Sequence, residues 1–148
     1  MTEEYNNVVL VSHNPDNQSN KPLYQEIAKA LGSDLVEIVP PLLSKESLEE
    51  ICEGKPPRVF IHDGTTYRID PLLKNVRAAP PSEIQNSYVD TSRLSGQPRY
   101  PVMIYRGKDI QASDTIRLLN VGFNWIFRDN QTQFTPENVK TIVEKIEE

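Results

Sequence analysis

The sequence predicts an α/β fold in which five parallel strands form one sheet with helices on both faces. Three observations predict it. Short continuous apolar runs such as Val8-Val9-Leu10-Val11 suit strands buried on both sides. Between them lie segments whose apolar residues recur at helical spacing. The two kinds alternate five times, the signature of a parallel sheet joined by helical crossovers.

Each element has its own warrant. The first strand, Val8 to Val11, stops at the turn formers Ser12-His13-Asn14-Pro15-Asp16-Asn17. Pro22 in a first turn, the stripe Leu23, Ile27, Ala30 and Leu31, and Gly32 as a stop predict a helix. Leu35 to Val39 is a short strand closed by Pro40-Pro41. Ser44 caps a second helix with Leu48, Ile51 and Cys52 on its apolar face and Gly54 at its end. Arg58 to Ile61 is the third strand, and Asp70-Pro71 opens a short helix with Leu72, Leu73 and Val76. Residues 79–100 hold Pro80, Pro81, Gly96 and Pro98 with little periodicity, which predicts a long irregular connection. Val102 to Tyr105 is the fourth strand. A helix capped by Ser113 or Asp114 follows, with Ile116, Leu118 and Leu119 as its stripe and a close near Gly122. Phe123 to Phe127 is the fifth strand, with Phe123, Trp125 and Phe127 on one side. Thr135-Pro136-Glu137 starts a final helix that buries Val139, Ile142, Val143 and Ile146.

The bulk composition agrees. A chain of 148 residues, 37% hydrophobic and 25% charged, is expected to be a single domain over residues 1–148. The net charge of -5, without a block of Lys and Arg, argues against direct nucleic-acid binding. The lone Cys52 excludes an intramolecular disulfide and a cysteine-based zinc cluster, and reads as a small core residue. Apolar runs are too short for a membrane span, and the opening MTEEYNN is polar and acidic, so a cytoplasmic protein without membrane contact is expected.

The flavodoxin-like order 2-1-3-4-5 is the natural topology for five such units, with its crevice at the carboxyl ends of strands 1 and 3. At that edge Val59-Phe60-Ile61 ends abruptly in His62-Asp63-Gly64. Ser12 and His13 are expected in the same neighbourhood, with Arg106 and Arg128 after strands 4 and 5 on the same rim. Asp63 reads first as a strand-terminating acid paired with Arg106 or Arg128. His13 and His62 read as surface or hydrogen-bonded residues.

From Pro101-Val102-Met103-Ile104 through Thr115-Ile116-Arg117-Leu118-Leu119 and Val121-Gly122 to Phe134-Thr135-Pro136-Glu137, the chain resembles the receiver domain of two-component response regulators. The first strand and the third strand ending in Asp63 are similar too, whereas residues 64–100 have no counterpart. The resemblance puts Asp63 at the phosphoacceptor position. It puts Ser12 and His13 where the family has an acidic pair that binds Mg2+, Arg106 where it has a small hydroxyl residue, and Arg128 where it has a lysine. Ser and neutral His do not replace carboxylates around a hard cation, so the expectation is a pseudo-receiver without metal or cofactor. Such a domain would be a phosphorylation-independent signalling or regulatory module, not an enzyme. Its partners would be proteins, a signalling kinase or a fused effector domain, with a homodimer also open. Trp125 and Phe127 on the fifth strand would belong to the interaction face. Two other classes stay open. One is a small α/β enzyme using Ser12, His13 and Asp63, although no glycine-flanked nucleophile is present. The other is an anion sensor using Arg106 and Arg128.

Overall fold

The computed structural model describes residues 6–14, 16–17, 19–38, 57–78, 102–120, 122–128 and 133–147. The helix expected after Ser44, Cys52 on it, and the connection over residues 79–100 lie outside the described residues.

In chain order the elements are β1 (Asn6–Ser12), α1 (Lys21–Ala30), β2 (Asp34–Ile38), β3 (Pro57–Asp63), a single 3₁₀ turn (Gly64–Thr66), α2 (Pro71–Ala78), β4 (Val102–Gly107), α3 (Ala112–Asn120), β5 (Trp125–Arg128) and α4 (Pro136–Glu147). The strands form one sheet in the order β2-β1-β3-β4-β5, with every neighbouring pair parallel. The expected topology is therefore the observed one. Among the described residues, no helix is long and apolar enough to cross a membrane.

Because successive residues of a strand face opposite sides of the sheet, each strand feeds two cores. Val9, Val11, Val59, Ile61, Val102 and Ile104 pack on one side against Tyr24 and Ile27 of α1 and Val139 and Val143 of α4. Leu10, Phe60, Met103 and Tyr105 pack on the other against Leu72, Leu73 and Val76 of α2 and Leu118 of α3. Continuous β-branched strands are thus explained by burial on both faces.

Several local expectations are corrected. The buried stripe of α1 is Tyr24, Ile27 and Ala28, running on to Leu31 just beyond the helix; Leu23 and Ala30 are only half buried, so the stripe is rotated about the helix axis. Helix α3 starts at Ala112, not at Ser113 or Asp114. Asp114 lies inside its first turn and accepts from the Gln111 N–H at 3.0 Å, the reach-back half of a capping box. Of its expected stripe only Leu118 is buried; Ile116 is 61% and Leu119 51% exposed. Strand β5 begins at Trp125, so Phe123 precedes it and joins the α2–α3 core, while Phe127 joins the α1–α4 core. At α4 the expected start holds, with the Thr135 hydroxyl accepting from the Asn138 N–H at 3.2 Å.

Candidate functional site

The strand register brings the polar residues of the carboxyl edge together in pairs. Ser12 lies beside His62, and Asp63 beside Arg106. Alternation along the strands then splits the edge into two clusters, one on each face of the sheet. Asp63 follows Ile61 toward α1 and α4, whereas His62 and Ser12 follow Phe60 and Leu10 toward α2. The neighbourhood expected for Ser12, His13 and Asp63 together is therefore divided by the sheet.

Asp63 has no exposed surface. One carboxylate oxygen accepts from the Thr65 backbone N–H at 2.8 Å and from the Thr65 hydroxyl. The other accepts from the Tyr24 hydroxyl and from the Asn20 side-chain amide at 3.2 Å, with the Arg106 guanidinium 3.6 Å away. Arg106 is itself buried, and its guanidinium carbon lies 4.5 Å from the centre of the Phe134 ring. Burial, then the adjacent Asp63 charge and hydrogen bond, push the Tyr24 phenol well above its ordinary range, so Tyr24 stays a donor. The 3₁₀ turn supplies two of these bonds because Asp63 is its cap. Sequence reasoning left Arg106 and Arg128 open as the partner of Asp63, of which the structure places Arg106 beside it, and missed Asn20, Tyr24 and Thr65. Helical phase was the available signal for Tyr24, which stands three residues before the buried Ile27.

On the opposite face His62 bridges two residues. Its Nδ1 lies 3.2 Å from the Ser12 hydroxyl, and its Nε2 donates to Asp70 at 2.9 Å. The other Asp70 oxygen accepts from the Tyr105 hydroxyl, and the Tyr105 ring stacks on His62 with centroids 5.4 Å apart. A Cβ on Gly64 would collide with the Asp70 carboxylate, so glycine there lets that carboxylate lie against the backbone. Burial raises the Asp70 pKa, but bonds from His62, Tyr105 and the Leu72 N–H outweigh it and hold the carboxyl below its ordinary value. Burial and Asp70 together push the Tyr105 phenol far above its usual range. Serine, histidine and aspartate thus do line up, but as Ser12–His62–Asp70. The serine and the imidazole are buried almost completely, so the row knits the sheet edge to the start of α2.

His13 is buried on the α1 side, where its Nε2 donates to Glu37 at 2.8 Å and its ring tilts against Tyr24. Arg128 does not join Asp63. Its guanidinium donates to the Thr115 hydroxyl at 2.5 Å and ties β5 to α3. Phe127 is corrected from interaction face to core, edge-on to Phe134 with centroids 4.9 Å apart, while Trp125 is 46% exposed.

No family model and no curated protein matches the sequence. Solved structures do match. A CheY-like response regulator receiver domain protein from Methanospirillum hungatei JF-1 superposes with a TM-score of 0.57 at 12% identity, covering 96% of this chain and 97% of that one. The receiver domain of a sensor histidine kinase from Pseudomonas aeruginosa PAO1 gives 0.56 at 13% identity, over 97% and 99%. The chain has the receiver fold. A pilus assembly-related protein from Burkholderia pseudomallei K96243 shares it as well, with a TM-score of 0.58 at 12% identity over 99% of this chain and 92% of that one. At such identities the likeness is one of fold, and the role of each residue in this receiver-fold chain rests on its own surroundings.

Proposed function

We propose that the protein is a receiver-like signalling or regulatory domain that works without phosphorylation and acts through protein contacts. The state of Asp63 carries this reading. Phosphoryl transfer to a carboxylate needs an open oxygen and a cation that neutralises donor and acceptor. Both Asp63 oxygens are already engaged, in a side chain with no exposed surface.

The surrounding donors do not fit Mg2+, which asks for near-octahedral oxygen ligands. Ser12 is bonded to His62, and His13 presents nitrogen to Glu37. The charge beside Asp63 comes from buried Arg106, which would repel a cation. In the Pseudomonas aeruginosa receiver, by contrast, a magnesium ion is coordinated in the active-site cleft. Protein contacts are supported by large apolar side chains left in water: Ile116 and Leu119 on α3, and Trp125 on β5, elements joined by the Arg128–Thr115 bond.

Incubation with acetyl phosphate and Mg2+, followed by intact-mass measurement, tests the reading. The expected result is no phosphoryl adduct. An adduct that disappears in Asp63→Asn would overturn it and restore a phosphorylation switch.

A further inference from the structure

Between the segment Tyr67–Arg77 and the loop after β4 lies a cavity of about 490 Å³. We propose that this cleft binds a phosphate-bearing small molecule of nucleotide size. Its volume is within the ordinary range for small-molecule sites. Its charge decides the ligand's sign. Arg68, Lys74, Arg77 and Lys108 line it against two carboxylates, Asp70 and Asp109, in a chain whose net charge is -5. A local excess of positive charge on an acidic protein draws anions to that place.

The acids are already committed or peripheral. Asp70 spends both oxygens on His62 and Tyr105, and Asp109 is exposed in the turn. Arg77 is set in place from behind. Its Nε and Nη2 bond to buried Asp114 and Nη2 also to the Asp109 carbonyl, which leaves Nη1 without a partner among the described residues. Asp114 offsets part of the Arg77 charge, so the lysines and Arg68 supply most of the field. None of those three has a carboxylate in ion-pair range among the described residues. A guanidinium held with one edge unused suits phosphate oxygens.

Two further features bear on the ligand, an unpaired hydroxyl and an apolar side that would suit an organic body. The Tyr67 hydroxyl is buried and has no hydrogen-bond partner among the described residues, and Tyr67 is one of the residues that line the cleft. Burial and the neighbouring Asp70 and Asp63 carboxylates push that phenol up to about 12, so it keeps its proton at neutral pH. Ile69 and Leu73 give the same cleft an apolar side, and Ile69 is 70% exposed without a ligand. Among the described residues no cluster of three or more His, Cys, Asp or Glu side chains that could hold a metal ion occurs.

Calorimetric titration at low salt with AMP, inorganic pyrophosphate and adenosine tests the proposal on the wild type, Lys74→Gln, and the double variant Lys74→Glu with Lys108→Glu. AMP is expected to bind with a dissociation constant at or below about 1 mM. The charge reversals should weaken it roughly tenfold or more, Lys74→Gln should weaken it less, and adenosine should bind far more weakly. Pyrophosphate binding as tightly as AMP would overturn the nucleotide-sized ligand and leave a site for phosphate alone; tighter AMP would support it and place the ring against Ile69 and Leu73. Silence from both anions, or wild-type affinity in a double variant with unchanged melting temperature, would overturn it. The cleft shares no side chain with the Asp63 cluster, so its outcome is independent of the phosphorylation test.

Discussion

Asp63 is an ion held among donors from three elements, and its worth is therefore structural. In Asp63→Asn one acceptor becomes an NH2 group facing donors, and Arg106 loses its counter-charge in a buried place. The variant is expected to be less stable by roughly 1–3 kcal/mol, read from denaturant unfolding. A more stable variant would point instead to an acid under repulsion. Asp70 makes the complementary prediction in pH. Its folded-state pKa is depressed, so its contribution is fully present above the ordinary aspartate value of about 3.9 and is lost as pH falls through the lower folded-state value. Asp70→Asn should be the less stable protein at neutral pH, with the gap closing below about pH 4. Urea midpoints that stay equally separated from neutral pH to acid would refute this. An arginine partner for Asp63 was legible because Asp63 ends β3 and Arg106 lies near the end of β4, its neighbour in the 2-1-3-4-5 order, although the choice between Arg106 and Arg128 was not. The Ser12–His62–Asp70 row was not. His62 and Asp70 are separated by a turn whose path depends on Gly64, and no periodicity encodes that path.

Elements were legible in type, less so in phase. α1 and α3 were both found, yet their buried faces were misread. Apolar residues such as Leu119 were assumed to be core, while the sheet face receives Asp114 and Leu118, four apart on one stripe. Asp114 could not be recognised as inward-facing without Arg77, its partner from α2. The corrected phase has a direct test. Leu118→Ala should cost about 2–5 kcal/mol, whereas Ile116→Ala, two residues away on the exposed face, should stay within about 0.5 kcal/mol. Equal losses at the two positions would restore the expected stripe. The start of β5 was missed for a related reason. Phe123, Trp125 and Phe127 alternate in sequence, but Phe123 lies in the turn before the strand, bonded through its N–H to the Leu118 carbonyl at 3.1 Å.

At the scale of the whole molecule, topology was legible because two-sided burial leaves a mark in every strand and the count of units leaves few arrangements. The sheet also divides the apolar interior into two bodies with separate membership. Distant substitutions in different bodies share no neighbours and should add. Leu72→Ala on the α2 side and Val139→Ala on the α4 side should combine to within about 0.5 kcal/mol of the sum of the single losses. A larger departure in a double-mutant cycle would mean that the two bodies respond as one.

Trp125 is the only tryptophan in the chain, and it stands half in water at the outer strand. The protein accordingly has a built-in optical reporter confined to one face. A protein that covers α3 and β5 should shift the indole emission to the blue. AMP taken into the cleft beside Lys74 and Lys108 should leave it where it is, because Trp125 is not among the residues that line that cleft. One fluorimeter trace, with either addition, tells the two surfaces apart.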